Sequence, residues 1–200
     1  MSAIARPEVL IAIRMLSALI FLSAAVGKMR FWTVFEGVVA NYRLLPRALI
    51  PAVAYALPPL EALIGACLLL GVAAPWAPLA AAVLLGVFAI AMTVNLLRGR
   101  SHIDCGCFQG ALKQTLRWPL VARNAVLMLL AGFVAAAPFA PANGWDVFNG
   151  SMAGSALFLI LQTLNALWAI HPGVRRPGRP PRAVQQAAVP RTELHAGTVA

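Results

Sequence analysis

Charge is scarce in this chain. Of its 200 residues only 11% are Asp, Glu, Lys or Arg, and the acidic ones number six, too few to clothe the surface of a water-soluble domain. Cysteine and histidine are scarce too, at three residues each. His102, Cys105 and Cys107 would offer a metal only three crowded ligands, and no second Cys/His cluster completes a four-coordinate site. The formal net charge of +10 does not indicate a nucleic-acid partner, because the basic residues flank apolar runs and form no stripe with exposed aromatics.

What the chain has is hydrocarbon: 61% of its residues are hydrophobic and the mean hydropathy is +0.81. Five apolar runs cover residues 9–26, 49–72, 76–97, 118–137 and 152–170, each bounded by Pro, Gly or Arg. At about 20 residues each they match the hydrocarbon thickness of a bilayer at the helical rise. The expected fold is all-α and polytopic, an antiparallel bundle of four transmembrane helices plus a fifth. The short links leave no room for a soluble domain, so residues 1–171 read as one membrane domain. Residues 172–200, basic and Pro-rich, have too little apolar content to pack a core and read as a disordered tail. The first run reads as a retained span, since Arg14 interrupts it and only Arg6 supplies a basic flank of the kind a signal peptide needs.

With five spans, one face receives Lys28, Arg30, Arg43 and Arg47, then Arg98, Arg100, Lys113 and Arg117, then every arginine of the tail; Arg6 alone falls on the other. Positive-inside bias predicts a multi-pass protein of the cell (inner or plasma) membrane with its N-terminus outside and its C-terminus cytoplasmic. Between Arg30 and Arg47, Phe31, Trp32, Phe35, Val38, Val39 and Tyr42 recur at near-helical spacing among charges, the pattern of an interfacial helix.

The most informative stretch is Asp104-Cys105-Gly106-Cys107-Phe108-Gln109-Gly110, in the basic link after the third span. Two thiols one glycine apart can close a strained disulfide, because glycine permits the dihedrals of so small a ring. A strained, accessible disulfide is easily reduced and suits exchange with a partner. Arg98, Arg100 and Lys113 favour the thiolate, Asp104 opposes it or orients the pair, and His102 would serve as a base. The rival reading is two unpaired small residues in a glycine turn. Cys67 stands about 27 Å along the second span, toward the outer face, and reads as a buried small apolar residue.

Glu61 lies about 18 Å into the second span and Arg14 about 10 Å into the first from the opposite face. Antiparallel packing would bring them to similar depth, which predicts a Glu61–Arg14 ion pair, with Lys28 as the alternative partner. Such a pair either locks two helices or serves a proton or quinone; quinone is the one cofactor weighed. Asn95, Asn124 and Asn165 read as interhelical hydrogen-bonding groups. Pro58 and Pro59 free backbone carbonyls and should kink the second span, making room for a helix or a ligand.

Taken together, Gly27-Lys28, Tyr42-Arg43-Leu44-Leu45-Pro46, Pro59-Leu60-Glu61, Asn95, Arg98-Gly99-Arg100, Asp104-Cys105-Gly106-Cys107-Phe108 and Arg123-Asn124 resemble the MauE family of methylamine utilisation membrane proteins, within the broader DoxX-like group. The resemblance runs from about Val9 to Ala137, and the cysteine motif is its most specific element. It implies an accessory protein in the maturation of methylamine dehydrogenase or another exported redox protein, with a redox role carried onto Cys105 and Cys107. It also implies a membrane-anchored, thioredoxin-like partner on the periplasmic side and an exported client. Here Gln109 intervenes before Gly110, where the family pattern has Cys-Phe-Gly, and the Arg-rich tail is not part of the pattern. Charge counting puts the cysteines inside while the implied partner lies outside, so either electrons cross the membrane or the orientation is reversed. The expected activity is thiol-disulfide exchange. The rivals are a quinone-binding or small-molecule subunit centred on Glu61 and the proline kink, and a purely structural membrane partner.

Overall fold

In a computed structural model, the described residues are 6–101, 103, 116–137 and 141–170. His102, Asp104, Cys105, Cys107 and the tail therefore lie outside them. Among the described residues every regular element is helical. The elements are α1 (Pro7–Arg30), α2 (Trp32–Tyr42), a single 3-10 turn (Arg47–Leu49), α3 (Ile50–Leu70), α4 (Trp76–Leu97), α5 (Trp118–Ala136) and α6 (Gly144–Ile170). All but α2 and the 3-10 turn are long and apolar enough to cross a bilayer.

Helix boundaries follow local chemistry. Proline opens α1, α3 and α5, where its missing N–H costs nothing. Glu8 sits at the positive end of the α1 dipole and Lys28 and Arg30 at its negative end. Helix α3 stops at Gly71, whose φ of 70° is left-handed, and the Gly71 and Val72 amides close back onto Leu68 and Cys67 carbonyls. Gly99, at φ 71°, ends α4 the same way. At the start of α6, Asn143 and Asp146 cap reciprocally: the Asn143 amide donates to Asp146 Oδ2 (2.9 Å) and the Asp146 amide to Asn143 Oδ1 (3.0 Å). That box starts α6 eight residues before the apolar run at 152, so Asp146 and Asn149 are helical and not part of a link.

Helices α1, α3, α4 and α5 form a ring in which each touches the next, α1 pairing most closely with α3 and α4 with α5. Its centre holds Leu16 and Phe21 of α1, Ile64 and Leu68 of α3, Ala81 and Leu85 of α4, and Leu127 and Ala131 of α5. Polarity is the reverse of a soluble protein. Lys28, Glu61, Asn95 and Asn124 are buried, while Leu70, Ile90, Leu97, Leu129 and Leu159 face outward, where only lipid accepts them. Trp76 and Trp145 at one level and Trp118 at the other are exposed near span ends, as interfacial anchors are. The chain is thus an all-α, multi-pass membrane protein, with four helices in a bundle and a fifth beside it.

That fifth helix meets α1 through glycines. A Cβ at Gly150 would lie 2.7 Å from the Glu8 carbonyl oxygen, and one at Gly154 2.5 Å from that of Ala12. Gly150 and Gly154 form a G-x-x-x-G face that lets two backbones approach, a device suited to lipid, where no hydrophobic force drives helices together.

Helix α2 is the amphipathic segment expected between Arg30 and Arg47, and it lies on α3 and not apart from the bundle. Phe35 and Val38 bury against Ala54. Pro58, lacking an N–H, leaves the Ala54 carbonyl without its helical donor, and the Trp32 indole Nε1–H donates to that oxygen at 3.1 Å. Trp32 also stacks on Tyr55, ring centroids 5.0 Å apart. The room made by the proline pair is thus taken, on this side, by a neighbouring helix. Trp32→Phe keeps the stack but strands the carbonyl, so thermal unfolding in detergent should show a loss of about 1–3 kcal/mol.

Candidate functional site

Four elements converge on one ion pair. Lys28, in the last turn of α1, donates from Nζ to Glu61 Oε1 of α3, and both side chains are almost wholly buried, at 4% and 1% exposure. The ammonium also lies 5.2 Å from the ring centroid of Phe35 on α2 and 5.1 Å from that of Phe88 on α4. A cation between two aromatic faces and a carboxylate recovers part of the hydration it gives up. Ammonium and carboxylate together place no net charge in the low-dielectric interior.

This corrects the expected Glu61–Arg14 pairing. Along the antiparallel contact of α1 and α3, Lys28 stands opposite Glu61, Leu22 opposite Gly65 and Arg14 opposite Gly71. A Cβ on Gly71 would meet the Arg14 guanidinium at 2.7 Å, which puts Arg14 against the C-terminal end of α3, where carbonyls carry partial negative charge. The physical reason is register: Arg14 and Lys28 are separated by about 21 Å along α1 at the helical rise, so only one of them can lie level with Glu61. Helix α1 continues through Gly27 and Lys28 to Arg30, and Lys28, the alternative partner, is the one that meets the carboxylate.

The cysteine link is anchored at this same end. The Leu116 amide donates to the Ile103 carbonyl at 2.9 Å, and both residues are buried. Leu116 packs on Met92, with Tyr42, Phe88 and Leu120 around them. Cys105 and Cys107 themselves, with His102 and Asp104, lie outside the described residues, so their geometry is not part of this site. Cys67 is a half-buried free thiol near the C-terminal end of α3, packed against the bundle core, six residues beyond Glu61 and away from the Lys28 end.

Among the described residues, Asn165 is the one of the three asparagines expected to bridge helices that hydrogen-bonds across them. Arg123 Nη1 of α5 donates to Asn165 Oδ1 of α6 at 3.3 Å. Asn95 Nδ2 donates within α4 to the Ala91 carbonyl at 3.0 Å. Asn95 Oδ1 and Asn124 Nδ2, an acceptor and a donor, are buried without partners among the described residues. The sequence reading missed Phe35 and Phe88 as neighbours of Lys28, since nothing local links them. It also missed Trp32 as the partner of the proline-freed carbonyl, and the Gly150/Gly154 face, which the G-x-x-x-G spacing does announce.

Residues 6–137 match the family model described as methylamine utilisation protein MauE. Among relatives, the MauE methylamine utilization protein of Paracoccus denitrificans is 44% identical over 164 residues, covering 81% of this chain and 88% of the relative. That of Paracoccus versutus is 45% identical over 166 residues (80% and 89%), and that of Methylorubrum extorquens 41% over 177 residues (88% and 95%). No solved structure matches. The matched stretch takes in α1 to α5, the Lys28–Glu61 pair and the whole cysteine link, and on that extent and identity the chain belongs to the MauE family.

Proposed function

We propose that this chain is a membrane accessory protein of methylamine utilisation that works by thiol-disulfide exchange at Cys105 and Cys107, during maturation of an exported redox protein such as methylamine dehydrogenase. The observation that carries the reading is family membership across residues 6–137, which include the cysteine pair.

The exchange balances without a cofactor. A thiolate of the reduced pair attacks a partner disulfide, forming one mixed S–S bond and releasing one partner thiolate. The second cysteine then attacks the mixed bond, closing the pair and releasing the other thiolate. Two electrons pass to the partner, and the reverse sequence oxidises it. Asp104 and His102 would tune the pair by charge and proton transfer. The partner classes are a thioredoxin-like membrane-anchored protein and the exported client. The distribution of Lys and Arg supports an outside N-terminus and a cytoplasmic C-terminus.

Trapping tests the reading. Cys107→Ser leaves Cys105 unable to resolve its mixed disulfide, so non-reducing gels of membranes should show a reductant-sensitive adduct that the Cys105→Ser/Cys107→Ser variant lacks. Absence of any adduct in cells grown on methylamine contradicts the exchange role.

A further inference from the structure

Helix α1 ends level with Glu61, whereas α3 begins at Ile50, about 16 Å nearer the membrane surface at the helical rise. The bundle is one span short at this end. Helix α2 covers part of the space, and a groove of about 540 Å³ is left between α3 and α4. Along α4 it runs from Val94 to Leu84, about 15 Å, or half of the roughly 30 Å hydrocarbon core of a bilayer. It is one leaflet deep. Val87 and Ile90 also line it and are 53% and 66% exposed, so it opens sideways into lipid.

The two ends of the groove differ. Lys28 interrupts the apolar wall at depth, but Glu61 cancels its charge, so the deep end offers no counter-charge to an anion. The surface end is cationic. Arg43 stands between Tyr42 and Leu44, and both of these line the groove. Arg98 lies one turn beyond Val94, its amide donating to the Val94 carbonyl at 3.1 Å. Arg47 opens the turn that leads into α3, with Val53 of the groove wall in the first turn of that helix. All three arginines are exposed, and none forms an ion pair among the described residues. Arg43 has a φ of 48°, left-handed backbone that glycine adopts at least cost, so the turn itself does not call for an arginine.

An apolar groove one leaflet deep accommodates a hydrocarbon chain, and three cations without counter-charges at its surface end suit phosphate oxygens. We infer that the groove holds an acyl chain of an anionic phospholipid whose phosphate meets Arg43, Arg47 and Arg98. A zwitterionic phospholipid is disfavoured, because its ammonium would enter the same field of arginines. The chain also lies against the base of the cysteine link: Met92 and Tyr42 line the groove, and Leu116 packs with both.

The test uses the full chain extracted from its own membranes in mild non-ionic detergent, with bound lipid identified by native mass spectrometry and quantified after solvent extraction. Wild type should retain phosphatidylglycerol or cardiolipin, enriched at least tenfold over phosphatidylethanolamine relative to the membrane. Once stripped, it should rebind dioleoyl-phosphatidylglycerol at least tenfold more tightly than dioleoyl-phosphatidylethanolamine, with a higher thermal transition. Arg43→Gln/Arg47→Gln/Arg98→Gln should abolish that preference and keep the fold. Ala91→Trp fills the groove and should lower retention of both lipids at least tenfold; should it fail to fold, Val87→Trp at the exposed mouth takes its place. The Cys105→Ser/Cys107→Ser variant should keep its lipid while losing every mixed disulfide, which separates failure of this inference from failure of the thiol reading. Equal binding of the two lipids, a preference unchanged in the triple arginine variant, retention unchanged in the groove-filling variants, or a groove occupied by a free fatty acid, a quinone or a second copy of the chain each overturns the assignment.

Discussion

Glu61→Ala should be among the most destabilising single changes in the protein, costing about 3–5 kcal/mol, because it leaves the Lys28 ammonium buried without its counter-charge. Lys28→Met should cost a similar amount by removing the carboxylate's counter-charge. Replacing both, as Lys28→Met/Glu61→Leu, exchanges a desolvated ion pair for apolar groups of similar volume and should restore most of the loss. The measurement is a double-mutant cycle of unfolding in detergent or bicelles, with a coupling energy of at least about 2 kcal/mol expected. The cycle also separates structure from chemistry. A double variant that is folded but inactive gives the pair a role beyond packing, whereas a folded and active one makes it a helix lock. Exchanging Arg14 with Glu61 should rescue nothing, since Arg14 stands opposite Gly71.

Gly154→Leu is the second large effect. Its first added carbon would meet the Ala12 carbonyl oxygen at 2.5 Å and the Met15 Cβ at 2.7 Å. These are backbone and near-backbone atoms that cannot swing aside, so α6 must move off α1 as a body. Overpacking of this kind costs about 1–3 kcal/mol when neighbours can yield, and here the cost should reach the upper end or exceed it. Gly132→Ala provides the control, since a Cβ at Gly132 meets nothing within 4 Å; its transition should match wild type. A Gly154→Leu protein that unfolds like wild type would show that α6 does not depend on this close approach.

The membrane fold was legible because its determinants are local: hydropathy over about 20 residues sets a span, and Pro, Gly and charge set its ends. The third span, at 76–97, coincides with α4, whose bounds are Trp76–Leu97. Reading failed where a local signal had two meanings. Gly27-Lys28 looks like the edge of a span, yet the helix continues because the Lys28 charge is met by Glu61 and two aromatic rings from other helices. Asp146 and Asn149 look like link residues, yet Asp146 completes a capping box with Asn143. The ion-pair partner was therefore mistaken by about four helical turns, because the register between two packed helices is a tertiary matter. The docking of α2 needed two facts far apart in sequence, the carbonyl freed by Pro58 and an indole at Trp32. Depth along a single helix could not show the lateral groove, which arises from how α2, α3 and α4 sit together. The cysteine motif stands out by residue type alone, and its spacing is its whole signal.

The proposed exchange role requires Cys105 and Cys107 to alternate between thiols and a disulfide in the cell. Acid-quenched cells, alkylated with a mass-tagged maleimide under denaturing conditions, report this directly, because the chain has three cysteines and Cys67 is a free thiol that serves as an internal reference. The prediction is two bands in cells growing on methylamine, one carrying a single tag and one carrying three, with their ratio shifting when the thioredoxin-like partner is deleted. A band with three tags alone, under every growth condition and in the partner deletion, would contradict the account.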